Sequence, residues 1–206
     1  MRRRSKQLRQ YIRKTLLAEA AMGPTDLPAN IGVMVYEKPL YREIEICYCL
    51  LRADGSIKSK LKLPTHANRH GVAAWGGIII NKNHKARNET YQVAGVYAND
   101  GYGPLLYDIA MELATQKANG LVSDRSYVED AAANVWSYYA DQRSDVQVFP
   151  GDDMSNTLTP QDDDNMDQSL TKAQDGDDYW HESPLSKRYT KQPTRMAELG
   201  DRLVVV

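Results

Sequence analysis

The sequence has only two cysteines in 206 residues, Cys47 and Cys49. Two cysteines cannot form a disulfide framework, so we expect a reduced, intracellular setting. Their spacing on a strand points both side chains to one face, where packing into the core is the favoured role. The four histidines show no metal-ligand spacing with these cysteines, and the sequence predicts no metal site.

Long apolar runs are also missing. No segment approaches the ~20 apolar residues that cross a bilayer, and the basic N-terminus lacks the apolar region of a secretory signal. We therefore expect no membrane span and no secretion. Residues 1–14 carry seven bases and no acid, whereas 151–183 carry ten acids and one base, although the net charge is only −1. This asymmetry indicates interacting or disordered tails around a neutral body. The body is not basic and 151–183 is strongly acidic, which argues against a role in nucleic-acid binding.

The apolar periodicity divides the chain into three parts. Residues 1–27 hold a basic amphipathic helix over 5–19 and a linker that begins at Gly23-Pro24. Residues 28–150 form the globular domain. Residues 151–206, acidic and then basic, are too polar to fold alone and are expected to be largely disordered. The N-terminal helix can dock on the body, lie on an anionic membrane, or act as a sorting peptide.

Within the domain, the first half shows strand-like alternation and the second half shows helical periods. The predicted strands are 31–36, 42–52, 56–63, 72–80 and 91–98, with a hairpin turn at Asp54-Gly55. There follow a helix over 104–117, a short strand over 121–124, a helix over 129–140 and a strand over 145–149. The fold class is therefore α/β (α+β), with a mainly antiparallel mixed sheet flanked by helices.

A glycine-rich loop, Asn99-Asp100-Gly101-Tyr102-Gly103, lies between strand 91–98 and the helix that Pro104 opens. This strand–loop–helix–strand–helix–strand order over 91–150 resembles the second half of GNAT-type N-acyltransferases. In that family a Gln/Arg-x-x-Gly-x-Gly/Ala loop holds the pyrophosphate of acyl-coenzyme A on its backbone N–H groups. The resemblance implies acetyl-coenzyme A as cofactor and an amine as acceptor. It places the cofactor on five residues: Val96, Ala98, Gly101, Tyr102 and Gly103.

This loop departs from the family pattern at three positions. Ala98 replaces the family's Gln or Arg, Asp100 adds a negative charge beside the phosphates, and Pro104 lacks a backbone N–H. The same glycines are also compatible with a tight strand-to-helix turn without a ligand.

The resemblance also implies catalytic groups. Many family members use a tyrosine on the following helix as the general acid. Trp136, which has no acidic proton of use, falls nearest that position, and Tyr138 and Tyr139 lie just beyond it. Both tyrosines could instead be packing residues of the helix. Asp124 is the best carboxylate for a general base, although it could equally form an ion pair with Arg125 or cap a helix.

Leu17-Ala18-Glu19, at the end of the basic helix, resembles the cleavage signal of capsid-targeting peptides in tailed bacteriophages. Their prohead proteases cut after a Leu/Ile-x-Glu tripeptide, which here would leave Ala20 at the new N-terminus. The second hypothesis is therefore a non-catalytic phage virion or accessory protein that uses the GNAT-like fold as a scaffold. Its partners would be other virion proteins, and its location the host cytoplasm or the virion.

Overall fold

The computed structural model describes residues 22–60, 76–82, 89–99, 101–151, 168–176 and 179–206. The predicted helix over 5–19 and the Leu17-Ala18-Glu19 signal lie outside the described residues, as does the acidic stretch 152–167. Over the described residues the protein is a mixed α/β fold with one curved sheet of nine strands and four α-helices.

In the first half of the sheet all the paired strands are antiparallel. Its strands are β1 (Ile31–Lys38), β2 (Glu43–Leu51), β3 (Ile57–Lys60), β4 (Gly76–Lys82) and β5 (Tyr91–Ala98). The predicted strands agree with these to within a few residues, except that 61–63 and 72–75 lie outside the described residues. The Asp54-Gly55 turn forms as expected: the Asp54 carboxylate accepts the Ser56 N–H at 2.9 Å, and Gly55 has φ of 79°.

The second half follows the predicted change to helical periods. Its elements are α1 (Gly103–Lys117), β6 (Leu121–Val122), α2 (Asp130–Gln142) and β7 (Val146–Pro150). Strand β6 is parallel to β5, because α1 carries the chain back across the sheet between them. Helix α2 packs against α1, with the Tyr107 and Trp136 rings in an edge contact at 5.5 Å between centroids.

The C-terminal part differs from the expectation of a largely disordered tail after residue 150. In its described portion the elements are α3 (Ser169–Asp175), β8 (Lys187–Lys191), α4 (Thr194–Leu199) and β9 (Leu203–Val205). Strand β8 lies inside the sheet, and Tyr189 is fully buried there. The fold therefore continues to the C-terminal strand and does not end at Pro150.

The strand order along the sheet is β7-β8-β6-β5-β4-β2-β1-β9. Strand β3 pairs with the C-terminal residues of β2, Cys49 to Leu51. The main core lies between α1, α2 and the face of the sheet that carries Ile44, Ile46 and Ile78. On the opposite face Cys47 and Cys49 are buried in a small cluster with Met34 and Leu51 and form no disulfide, which is the packing role that the sequence suggested.

Candidate functional site

Within the described part of the chain, one backbone edge of strand β5 is unpaired with any strand over most of its length. On one side β5 pairs with β4 along its whole length, from Tyr91 to Ala98. On the other side it pairs with β6 only at Tyr91 and Gln92, and no other strand of the described chain pairs there. The bulge at Ala94 bends β5 just where β6 ends, and residues 94–97 are exposed.

The glycine-rich loop connects this open edge directly to the N-terminus of α1. Gly101 has φ of 85°, a left-handed conformation that suits glycine. The Tyr102 N–H donates to the Asn99 carbonyl at 3.0 Å, and the Gly101 carbonyl accepts the Met22 N–H at 3.0 Å. The buried Tyr48 hydroxyl donates to the Tyr102 carbonyl at 2.7 Å. These bonds hold the described loop residues against Met22 and Tyr48 at the start of α1, where the first N–H groups of a helix have no acceptor within the helix itself.

The five residues assigned to the cofactor therefore surround one place, where β5 ends and α1 begins. Val96 is 36% exposed on the side of the sheet that α1 covers elsewhere, and Ala98, Tyr102 and Gly103 are half-buried. A Cβ atom on Gly103 would meet Ala98 Cβ at 3.7 Å, an ordinary contact, so this glycine leaves open space at the helix start. The site can accommodate an extended chain along β5 and an anion at the first turn of α1.

Tyr139 lies close to this loop, but its hydroxyl is enclosed. The hydroxyl oxygen lies 2.8 Å from Asp108 Oδ1 and 3.0 Å from the Pro104 carbonyl, and the residue is fully buried. Burial, reinforced by the charge of Asp108, raises the pKa of Tyr139 well above its ordinary value. This arrangement holds α2 against the first turns of α1.

Tyr138, the other candidate acid, is half-buried and makes an edge contact with the Tyr139 ring at 5.9 Å between centroids. Its phenol is therefore the more accessible of the two. The position of its ring depends on Tyr139, because the two residues are neighbours on α2.

Asp124 comes two residues after the end of β6, which runs parallel to β5 beside Tyr91 and Gln92. Its Oδ1 accepts the N–H groups of Ser126 at 2.6 Å and Tyr127 at 3.3 Å, so it caps the turn that leads to α2. The neighbouring Arg125 is buried, and its guanidinium donates to the Ser123 hydroxyl and the Leu185 carbonyl.

A network of charged residues along α1 was not found from the sequence. It contains two carboxylates on one face of α1 and three cations from the C-terminal half: Asp108, Glu112, Arg143, Lys191 and Arg195. The i, i+4 spacing of the two carboxylates within an apolar helix was the signal that could have revealed it. Burial raises the pKa of Asp108, while Arg143 opposes that shift.

The described residues hold no group of three His, Cys, Asp or Glu side chains that could bind a metal ion, and His66, His70 and His84 lie outside them. Nor do they include a helix with the length and apolarity that a membrane span requires.

In comparisons with known proteins, no family model matches the sequence, and no curated protein or solved structure matches it either.

Proposed function

We propose that this chain is a divergent GNAT-like domain that binds an acyl-coenzyme A beside β5 and transfers the acyl group to an amine. The observation that carries the proposal is the edge of β5 that no other described strand pairs with beyond Gln92, and that leads through the glycine-rich loop to the N-terminus of α1. This arrangement presents backbone groups for an extended ligand and, at its end, a place for phosphate.

The ligand chemistry matches these two features. The pantetheine arm of coenzyme A contains two amides, which can pair with a free strand edge as an added strand does. The pyrophosphate suits unpaired N–H groups and the positive end of a helix dipole. Pro104 removes one of the donors, which leaves the N–H groups of Gly103 and the residues after Pro104.

For acyl transfer, the amine must lose a proton and the leaving thiolate must gain one. We assign the acid to Tyr138, because its phenol is half-buried whereas that of Tyr139 is bonded to Asp108. Tyr139 then positions Tyr138 through their ring contact. Asp124 is the proposed base, since it stands at the carboxyl end of β6 beside the open edge.

Calorimetry with acetyl-coenzyme A tests the proposal. We expect saturable binding to the full chain, and at least tenfold weaker binding of 3′-phosphoadenosine diphosphate, which lacks the pantetheine arm. Equal affinity for the two ligands would show that the pantetheine arm does not bind to β5. The absence of binding heat with acetyl-coenzyme A at millimolar concentration would contradict the proposal as a whole.

A second candidate is a non-catalytic scaffold in a phage virion or accessory protein. It is favoured because two of the candidate catalytic residues already make structural hydrogen bonds. Tyr139 is bonded to Asp108 on α1, and Asp124 accepts the Ser126 N–H in the turn before α2. This candidate predicts that the protein in purified particles begins at Ala20, after cleavage at Leu17-Ala18-Glu19. Intact-mass measurement decides it, because retention of the first nineteen residues would exclude processing.

A further inference from the structure

The glycine-rich loop is bonded to the segment of the chain that precedes β1. The Met22 N–H donates to the Gly101 carbonyl at 3.0 Å, which joins the two segments backbone to backbone. Gly101 has φ of 85°, and a glycine is the residue whose backbone most easily adopts another conformation. The position of Met22 therefore bears directly on the conformation of the loop.

The chain after Met22 makes a short 3-10 turn, Pro24–Asp26. The Asp26 carboxylate accepts the Gly23 N–H at 2.8 Å, and the Asp26 N–H donates back to the Gly23 carbonyl at 3.1 Å. Leu27, directly after the turn, is buried in the main core. Because the turn is short and bonded within itself, a displacement of the turn also displaces Met22.

Arg202, close to the C-terminal end of the chain, bonds to both sides of this turn. Its guanidinium donates to the Pro24 carbonyl at 2.6 Å and to the Leu27 carbonyl at 3.3 Å. The Pro24 carbonyl also accepts the Leu27 N–H, at the longer distance of 3.4 Å. A charged donor at short distance makes the stronger bond, so Arg202 contributes more to closing the turn than this backbone bond does.

The chain around Arg202 is itself anchored to α1. Glu112, in the middle of α1, accepts the N–H groups of Arg195 and Met196 at 2.8 Å each. These two residues lie in the first turn of α4, and a 3-10 turn that ends at Arg202 follows α4 directly. The contacts thus form a closed ring, which runs from α1 through α4, Arg202 and Met22 to the glycine-rich loop and back into α1.

A separate bond holds the other side of the loop. The buried Tyr48 hydroxyl, on β2, donates to the Tyr102 carbonyl at 2.7 Å. This bond does not involve Arg202 or the turn after Met22. Loss of Arg202 therefore releases the Gly101 side of the loop while Tyr102 stays tied to the sheet, so the effect is expected to be local.

We propose that Arg202 is a positioning residue, which sets the conformation of the glycine-rich loop through the turn after Met22. The consequence for a ligand rests on the proposed function. A loop that is ordered before binding loses less conformational entropy when it encloses a pyrophosphate. The C-terminal segment then contributes to coenzyme affinity without contacting the coenzyme.

Hydrogen exchange of single amides in the full chain without ligand, followed by NMR, tests this role. Arg202→Met removes the guanidinium and keeps an apolar stem. We expect the Met22 amide to exchange at least ~10-fold faster, because a charge-assisted bond that holds the turn is lost. The Tyr102 amide, which bonds within the loop to the Asn99 carbonyl, should change in the same direction, and amides inside β1 and β2 should keep their parent rates.

The matched control is Arg52→Met. The Arg52 guanidinium also donates to a backbone carbonyl, that of Ile57 at 2.8 Å, but in the hairpin between β2 and β3. This variant should leave the Met22 and Tyr102 amides at their parent rates. Arg202→Lys, which keeps a charged donor, should give an intermediate rate.

Calorimetry with acetyl-coenzyme A gives the second readout. We expect the dissociation constant to rise about tenfold in Arg202→Met, equivalent to one such bond, and to stay unchanged in Arg52→Met. If the parent chain itself does not bind acetyl-coenzyme A, the proposed function fails, while the exchange rates still decide the role of Arg202.

Circular dichroism confirms that each variant is folded, and an unfolded Arg202→Met is replaced by Arg202→Gln. A folded variant in which the Met22 and Tyr102 amides exchange at parent rates overturns the inference. So does an equal acceleration of the amides inside β1 and β2, because it would show that Arg202 supports global stability and does not position the loop.

Discussion

The Lys191 ammonium donates to Glu112 Oε1 at 2.5 Å, and both side chains are fully buried. The same carboxylate accepts the N–H groups of Arg195 and Met196, each at 2.8 Å. Glu112 therefore ties the end of β8 and the start of α4 to the middle of α1.

Substitution of one partner in this pair tests its structural role. We predict that Lys191→Met lowers the free energy of unfolding by about 3–5 kcal/mol, because it leaves a buried carboxylate without its cation. Urea denaturation measures the change. The double variant Glu112→Gln/Lys191→Met should recover more than half of the loss, and Lys58→Met, at an exposed position, should have little effect. A single variant as stable as the parent would contradict the account.

Removal of the C-terminal segment should disrupt the sheet. Strand β8 lies between β6 and β7, so truncation after Gly151 leaves β7 without a strand to pair with and exposes the apolar face that Tyr189 covers. We expect loss of the cooperative thermal transition, measured by circular dichroism. Truncation after Gly200, which removes β9 but keeps β8, should retain a transition at a lower midpoint. An unchanged midpoint after the longer truncation would show that β8 is dispensable.

The acid sensitivity of the fold should depend on Asp145. Its hydrogen bonds to Arg143 lower the pKa of Asp145 to about 2, below the ~3.9 of an unfolded chain. A carboxyl with a lowered folded pKa stabilises the fold above the unfolded value, and that contribution is lost as pH falls from about 4 towards 2. Asp145→Asn should be less stable than the parent at pH 7, and the difference should shrink at pH 2.5. Urea midpoints at the two pH values check this, and a difference that grows in acid would refute it.

We predict that substitution of Tyr138 affects catalysis and that substitution of its neighbour Tyr139 affects stability. Under the proposed activity, Tyr138→Phe lowers kcat by about 10²-fold or more, because it removes the acid, with little change in stability. Tyr139→Phe removes the hydroxyl that bonds the buried Asp108 carboxylate and lowers stability by about 1–3 kcal/mol. Paired assays of acyl transfer and urea denaturation measure both effects. If Tyr139→Phe lowered kcat at unchanged stability and Tyr138→Phe lowered stability instead, the proposed roles would be wrong.

The sequence was sufficient to predict the elements between Ile31 and Pro150, because their periods of 2 and 3.6 are clear and Gly or Pro residues separate them. Strand β8 could not be predicted in this way. Its sequence Lys-Arg-Tyr-Thr-Lys has one apolar residue, and burial of Lys191 depends on Glu112, which is 79 residues away. Local pattern carries no information about such a pair, so the acidic composition before it led to the expectation of a disordered tail.

Only the part of the candidate site that depends on local sequence could be predicted. The Gly101–Gly103 turn has a local signature, and it lies where strand and helix meet, as expected. The open edge of β5 depends on how far β6 extends beside it, which is a tertiary property. The different roles proposed for Tyr138 and Tyr139 follow from the bond between Tyr139 and Asp108. Asp108 lies on a different helix, so this distinction could be made only from the structure.

The measurement that most directly tests the proposed function is calorimetry of acetyl-coenzyme A with the parent chain and with Gly103→Asp. The new side chain has room, since a Cβ there lies 3.7 Å from Ala98 Cβ, so the fold should be retained. Its carboxylate would occupy the position proposed for the pyrophosphate and repel it. The account predicts saturable binding to the parent and none to a folded Gly103→Asp variant. Equal affinity in the two chains, or no binding to the parent, would contradict it.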